Sequence, residues 1–174
     1  MRYCSAAAFA LLASFMSVLL GAQARFVPNT DNPPVGKTTE LVAVLIGYSH
    51  CVGNTYPGFL ASVDSMNRSV AARVKARGQR FVAVGVSTDW QPDSGMIYLK
   101  SLSAFNEVNV GNNWFNLGVA HYVLSDSLGK LVVPQVVLVQ RERTDIRLGA
   151  NRIVARFVGA EEIVKWVNNG TPLP

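Results

Sequence analysis

The sequence predicts an α/β fold in which a central mixed sheet carries helices on both faces. Residues 41–46 and 81–86 are apolar runs without polar alternation, which is typical of strands buried on both faces. Between them, apolar residues recur at three- and four-residue steps, which indicates an amphipathic helix. Two later apolar runs, 136–139 and 153–158, follow one another directly. Strands alternating with helices predict parallel pairing, and the final two runs predict an antiparallel hairpin at one side of the sheet.

The apolar periodicity predicts four helices. They are expected at residues 59–74, 94–102 and 113–124, and from Ala160 onward. Gly78 is expected to close the first of them. In the third helix we expect four bulky side chains to face the core: Trp114, Phe115, Leu117 and Tyr122.

Residues 1–24 have the features of a signal peptide. Arg2 supplies a positive start, residues 6–20 are almost entirely apolar, and the segment ends in the small-x-small pattern that a signal peptidase reads, closing at Ala24. We therefore expect an exported protein, periplasmic or extracellular. If the segment is not cleaved, it would instead anchor the protein in a membrane.

The mature chain is expected to fold as one domain. Residues 25–39 are rich in proline and predict an extended lead-in, and residues 40–174 are enough to bury one core. A hydrophobic content of 49% with 16% charged residues excludes a disordered chain. Because Cys4 is lost with the signal, Cys51 is the single mature cysteine, and no intramolecular disulfide can form.

The positive charge of the chain does not indicate a nucleic-acid partner. The formal net charge is +5, and the arginines near the carboxyl end alternate with acidic and apolar residues without aromatic partners for bases. We interpret them as the solvated face of the hairpin, whose loop is predicted to be long, covering residues 141–152. These arginines are Arg141, Arg143, Arg147, Arg152 and Arg156.

Cys51 is the candidate reactive group. The polar stretch 47–55 leaves the first strand at its carboxyl end, where ligands of open α/β sheets gather. The backbone N–H groups of a following helix would stabilise a thiolate there, and so would a protonated His50. The start of that helix stays open: it begins either at Cys51, with Pro57 kinking it, or near Tyr56. The alternative for Cys51 itself is a buried, inert side chain.

The order of these features resembles the thioredoxin-like superfamily, and most closely its exported redoxin or TlpA-like branch. The likeness rests on a strand ending in aromatic-x-x-Cys, a second strand reading Val-Gly-Val-Ser, the Asp89-Trp90 loop, and a strand Ile-Val-Ala-Arg-Phe-Val-Gly before the last helix. It implies a three-layer thioredoxin-like fold over residues 41–167. It also implies that Val133 and Pro134 form the cis-proline loop that faces the reactive cysteine and holds an incoming peptide.

Two further residues near the predicted site allow two interpretations each. Trp90 forms the floor of a binding groove or caps an edge of the core. Asp89 is a buried proton carrier for the thiol, as the resemblance allows, or an ordinary turn residue. The residues assigned to substrate binding are Val133, Pro134, Trp90, Asn54 and Thr55.

The departures from the resemblance restrict the chemistry. The redoxin dithiol is Cys-x-x-Cys, and Asn54 stands at its second position. The phrase Gly-Tyr-Ser-His-Cys also resembles the Sco family of copper-delivery proteins, which use Cys-x-x-x-Cys, and in that register Thr55 replaces the second cysteine. Cys51 alone can therefore form a mixed disulfide but needs an outside thiol to resolve it.

Three functions follow from these observations. The first is an exported monothiol redox protein with Cys51 and His50 as catalytic residues, acting on protein thiols or disulfides without a cofactor. The second is a non-catalytic binding module of the cell envelope, which uses the same groove to hold a peptide or protein. The third is copper handling through Cys51 with His121 or Met96, although two histidines and no second cysteine make a poor site, and no metal ligand set is assigned.

Overall fold

The structure of the protein is a computed structural model that describes residues 38–125, 129–143 and 148–174. The predicted signal peptide and most of the lead-in lie outside the described residues. Within the described ranges, no helix is both long enough and apolar enough to cross a membrane.

Five strands of the described chain form one sheet in the order β3-β2-β1-β4-β5. They are β1 (Thr38–Gly47), β2 (Arg80–Ser87), β3 (Glu107–Asn109), β4 (Gln135–Arg143) and β5 (Leu148–Val158). β1 is parallel to β2 and antiparallel to β4, and β4 is antiparallel to β5, so the mixed sheet and the final hairpin are confirmed. The short edge strand β3 escapes prediction because three residues, Glu-Val-Asn, form no apolar run.

β1 is buried on both faces, as its unbroken apolar run predicts. Val42, Val44 and Ile46 lie in one core cluster, and Ala43 and Leu45 lie in the other. This alternation follows from the two-residue period of a strand, which sends successive side chains to opposite faces. β1 is thus the central strand around which both layers pack.

Helices cover both faces of the sheet. They are α1 (Phe59–Ala76), α2 (Pro92–Leu102), α3 (Leu117–Val119, continuing as a π-helix over Ala120–Leu124) and α4 (Ala160–Asn168). Side chains of α1, α2 and α4 pack in the cluster of Ala43 and Leu45, whereas α3 and its π-helix pack in the other. The predicted α/β class and the three layers are confirmed.

The third predicted helix is not continuous, and half of its predicted core residues are exposed. The 3-10 turn Asn113–Phe115 ends at Asn116, whose extended backbone (φ −76°, ψ 157°) separates it from α3. An extended residue inside a helical pattern breaks its periodicity, so spacing across this segment does not report one face. Phe115 and Leu117 are accordingly 83% and 82% exposed, whereas Tyr122 is buried.

The prediction of a long loop between the last two strands is wrong. β4 continues to Arg143 and β5 begins at Leu148, and these two residues pair across the hairpin. Residues 144–147 lie outside the described residues. Arg141, Arg143 and Arg152, which suggested a loop, belong instead to the two strands.

Arg141 is not solvated, contrary to the prediction for the hairpin arginines. It is 2% exposed, and its Nε donates to Oε1 of the fully buried Glu40 at 2.6 Å. Its two terminal nitrogens donate to the carboxylate oxygens of Glu107 at 3.0 and 2.7 Å. A buried guanidinium needs such partners because desolvation of an unpaired charge is costly. The hydrogen bond from Arg141 lowers the pKa of Glu107, although partial burial opposes this effect.

We expect Arg141→Met to destabilise the fold by about 3–5 kcal/mol, because the fully buried Glu40 then keeps only its 3.6 Å contact with the half-exposed Arg80. The double variant Glu40→Leu/Arg141→Met should recover most of this loss, since an apolar pair avoids desolvation altogether. Urea unfolding measures both values. Arg68→Met, which breaks an exposed pair with Asp64, is the matched control and should change stability by less than about 1 kcal/mol. Equal losses for Arg68→Met and Arg141→Met would contradict the buried network.

The same network predicts a pH dependence of stability. Because the folded-state pKa of Glu107 lies below its ordinary value of 4.5, its pairing with Arg141 stabilises the fold above that value. This contribution is lost as the pH falls through the folded-state pKa. In Arg141→Met, stability should therefore fall less between pH 5 and pH 3 than in the wild type, measured as the urea midpoint at each pH. Parallel profiles for the two proteins would contradict this assignment.

Candidate functional site

The register of the sheet brings three chain segments to one edge. Gly47 at the end of β1 pairs with Ser87 at the end of β2, and Ile46 pairs with Gln135 at the start of β4. Thr88 extends the pairing by donating its N–H to the carbonyl of Gly47 at 2.8 Å. The loop after β1, the loop after β2 and the segment before β4 therefore meet at the edge where α/β proteins place their ligands.

Cys51 lies in the first of these loops and contacts the third segment. It is half-buried and caps a 3-10 turn, Val52–Thr55. Its Sγ accepts a hydrogen bond from the N–H of Gly53 at 3.3 Å and donates to the carbonyl of Val133 at 3.4 Å. The peptide bond that follows, Val133–Pro134, is cis. The amide favours a thiolate and the carbonyl favours a thiol, so these two contacts act in opposite directions on the sulfur.

Gly53 is required by the close approach of the two segments. A Cβ at this position would lie 2.5 Å from Cδ of Pro134 and 3.4 Å from Sγ of Cys51. Only a residue without a side chain allows the turn after Cys51 to pack against the proline.

The helix after Cys51 starts at the later of the two predicted positions. α1 begins at Phe59, after Gly58 in the left-handed conformation with a φ of 79°, so Pro57 lies outside it. The first turn of α1 therefore does not contact Cys51. The sulfur receives a single amide N–H from the short 3-10 turn instead.

Asn54 holds the loop in place from the position at which a resolving cysteine would stand. Its Nδ2 donates to the carbonyls of Tyr48 and Ser49 at 2.9 and 3.0 Å. Its Oδ1 accepts a hydrogen bond from the Tyr98 hydroxyl at 3.1 Å. Because both ends of the amide are engaged within the protein, this side chain has a structural function in the loop. Thr55 likewise donates its hydroxyl back to a loop carbonyl.

Tyr98 is a site residue that the sequence analysis missed. It lies on α2, is buried, and would collide with any side chain placed at Gly47. Burial raises the pKa of Tyr98 above its usual range, and the negative charges of Cys51 and Asp89 raise it further. The phenol therefore stays a neutral hydrogen-bond donor beneath the loop. Its inward position on an amphipathic helix marked it only as a core residue.

Asp89 is a buried carboxylate and not an ordinary turn residue. It is 3% exposed, and it accepts hydrogen bonds from the hydroxyls of Ser49 and Ser87 at 2.6 and 2.5 Å and from the N–H of Ser49 at 3.2 Å. The Ser49 hydroxyl also contacts Nδ1 of the exposed His50 at 2.7 Å. The structure therefore connects His50 to Asp89 through one serine.

Each of the three segments that meet at this edge carries an exposed apolar side chain. Val52, which follows Cys51, is 84% exposed, and Trp90, which follows Asp89, is 65% exposed. Val132, before the cis-proline segment, is 43% exposed. Trp90 belongs to neither core cluster, and its place in a binding groove stays a prediction.

The structure does not bring Cys51 and His121 together, which removes one of the two predicted copper pairs. His121 Nε2 lies 2.5 Å from Nδ2 of Asn151 on β5. Asn151 is level with Arg141 on β4, and Arg141 is level with Glu40 near the start of β1. His121 therefore lies near the start of β1, whereas Cys51 follows its end, about 20 Å from Glu40 at roughly 3.3 Å per residue. Among the described residues, no group of three or more histidine, cysteine, aspartate or glutamate side chains is arranged to hold a metal ion.

The strand order defines the class of fold. In the order β2-β1-β4-β5, only β4 runs antiparallel to the others, and helices lie on both faces. This is the thioredoxin-like arrangement that the sequence predicted.

Comparisons with known proteins give matches of low similarity. No protein-family model and no curated protein sequence matches the chain. Similar solved structures include a Chlorobium tepidum protein assigned as the thiol:disulfide interchange protein DsbE, with 18% identity, a TM-score of 0.43, and coverage of 76% of this chain and 81% of that chain. A thiol-disulfide oxidoreductase from Bacteroides fragilis has 14% identity and a TM-score of 0.44, and the match covers 75% of this chain and 80% of that chain. Copper-bound ScoI from Arabidopsis thaliana has 14% identity and a TM-score of 0.37, and the match covers 79% of this chain and 95% of that chain. At these values the similarity carries no functional argument.

The close approach at Gly53 predicts the effect of adding one methyl group. We expect Gly53→Ala to destabilise the protein by about 1–3 kcal/mol and to change the rate at which iodoacetamide alkylates Cys51, because the new Cβ must displace the proline segment or the loop. Denaturant unfolding and mass spectrometry measure the two effects. Val52→Ala, at the exposed neighbouring position, should change stability by no more than about 0.5 kcal/mol. An unchanged Gly53→Ala protein would show that the two segments do not pack as described.

Proposed function

We propose that the protein is a monothiol redox protein, in which Cys51 forms mixed disulfides with partner proteins. The observation that carries this proposal is the half-buried Cys51 thiol, held between the Gly53 amide and the Val133 carbonyl at the sheet edge. A thiol in this place is accessible to a partner sulfur. A purely structural cysteine would be expected inside one of the two core clusters.

The reaction needs no cofactor. The Cys51 thiolate attacks one sulfur of a partner disulfide, a new S–S bond forms, and the partner's other sulfur leaves with the electron pair of the broken bond. Cys51 is thereby oxidised to a mixed disulfide, and the leaving sulfur is reduced. A second thiol from outside the chain then attacks the mixed disulfide and regenerates Cys51.

The outside thiol is required because Asn54 occupies the position of an internal one. Its amide is engaged with Tyr48, Ser49 and Tyr98, so it stabilises the loop but does not attack a disulfide. The mixed disulfide should therefore persist until an external thiol arrives. Such a long-lived intermediate distinguishes a monothiol protein from a dithiol oxidoreductase.

A second candidate function is a binding module without turnover. The exposed Val52 and Trp90, on two of the loops that meet at this edge, favour it, because exposed apolar side chains often contact a partner. The amino-terminal sequence supports an exported protein, so the partner in either case would be a protein of the cell envelope or the extracellular space.

Mixed disulfide formation tests the proposal. With Cys4→Ser as background, folded protein treated with glutathione disulfide should form a stable one-to-one adduct at Cys51, seen by mass spectrometry, which only added thiol removes. Asn54→Cys should release the glutathione and leave an internal disulfide, whereas the control Asn54→Ser should keep the adduct. If folded protein forms the adduct more slowly than the same chain in denaturant, Cys51 is not a redox group, and the binding module is favoured.

A further inference from the structure

Asp89 has a more specific environment than a turn residue needs. Its carboxylate is buried at the carboxyl end of β2, and its backbone carbonyl accepts the N–H of Asn113 at 3.3 Å. In the described part of the chain its partners are hydroxyl and amide donors, not cations. These donors orient both carboxylate oxygens toward the two loops that they connect.

The hydrogen-bond directions fix the proton on His50. An ionised carboxylate only accepts, so the single proton of the Ser49 hydroxyl is donated to Oδ1 of Asp89 at 2.6 Å. The contact of 2.7 Å between the same hydroxyl oxygen and Nδ1 of His50 must then be made by a proton on Nδ1. The chain of donors runs from His50 through Ser49 to Asp89. In the neutral ring, Nε2 then carries no proton and can accept one.

The backbone places this chain in the same turn as Cys51. The N–H of Cys51 donates to the carbonyl of Tyr48 at 3.0 Å, so residues 48–51 form a tight turn with Ser49 and His50 at its corner. Since Asp89 also accepts the backbone N–H of Ser49, the turn is fixed to β2 by two bonds to one carboxylate. The imidazole is therefore held at the exposed edge of the loop that carries Cys51.

We propose that Asp89, acting through Ser49, is a positioning residue that holds His50 as its Nδ1–H form, so that Nε2 exchanges protons with the sulfurs reacting at Cys51. The inference rests on the proposed redox function and deepens it. When Cys51 attacks a disulfide, the leaving thiolate takes a proton from Nε2 of the imidazolium, and the ring regains a proton from solvent. The buried charge of Asp89 stabilises the imidazolium through the Ser49 hydroxyl.

Two variants and one matched control test the relay. Ser49→Ala removes the connecting hydroxyl, and Asp89→Asn removes the charge at the end of the chain. Ser87→Ala removes another hydroxyl from the same carboxylate but leaves the connection to His50 intact, and so serves as the control. His121→Gln in every protein leaves His50 as the only histidine.

The first readout is the tautomer of the neutral His50 ring, measured from its side-chain ¹⁵N shifts by NMR. The wild type and Ser87→Ala should show the Nδ1–H form, and Ser49→Ala should lose it. This measurement does not depend on redox activity, so it tests the relay even if Cys51 forms no mixed disulfide. An Nε2–H ring in the wild type, or an unchanged tautomer in Ser49→Ala, overturns the proposal.

The second readout is the second-order rate of mixed disulfide formation with glutathione disulfide at neutral pH. Ser49→Ala and His50→Gln should each slow it about tenfold or more, and their combination should slow it no further, because both changes remove the same proton transfer. Ser87→Ala should stay within about twofold of the wild type. Additive losses, or an equal loss in Ser87→Ala, would overturn the relay. Should Asp89→Asn fail to fold, Ser49→Ala still decides the outcome.

Discussion

The pairing of β1 with a strand on each side is the constraint on which the site depends. Because Gly47 is in register with Ser87 and Ile46 with Gln135, the three segments of the site leave the sheet at one level. Burial on both faces keeps this register, since a slip of one residue would exchange the side chains of the two core clusters. The distances around Cys51 are therefore set by the sheet more than by the loops themselves.

The opposite end of β1 is fixed by charge and not by apolar packing. Glu40 pairs with Arg141 there, and Arg141 reaches Glu107 on the edge strand. Such a pair contributes little net stability because desolvation offsets the attraction, but a slipped register would leave both charges buried and unpaired. The network thus disfavours any other register of β1, β3 and β4 at this end of the sheet. In the middle of the sheet, apolar packing specifies the register.

Patterns local to the sequence predicted most of the fold, and contacts between distant residues account for what was missed. The apolar runs gave the four long strands, and residues 59–74 gave α1 nearly to its ends. Arg141 was misjudged because its partners lie 101 and 34 residues away, and no local pattern records them. Tyr98 was missed for the same reason, since only the contact with Asn54 distinguishes it from a core tyrosine. At Phe115, the extended backbone of Asn116 ends the 3-10 turn, so helical spacing did not report which face is buried.

The loss of an internal resolving thiol changes which step the surroundings of Cys51 must favour. In the second step of a monothiol cycle, the outside thiol attacks and Cys51 itself leaves as a thiolate. The Gly53 amide stabilises that leaving group, whereas the Val133 carbonyl accepts a hydrogen bond only from the protonated sulfur. A nearby proton donor makes the two contacts compatible. The Gly53 amide stabilises the thiolate as it leaves, and the Val133 carbonyl accepts the hydrogen bond of the thiol once the sulfur has been protonated. A His50 ring held through Ser49 would supply that proton, while the outside thiol takes the place of the second cysteine as nucleophile.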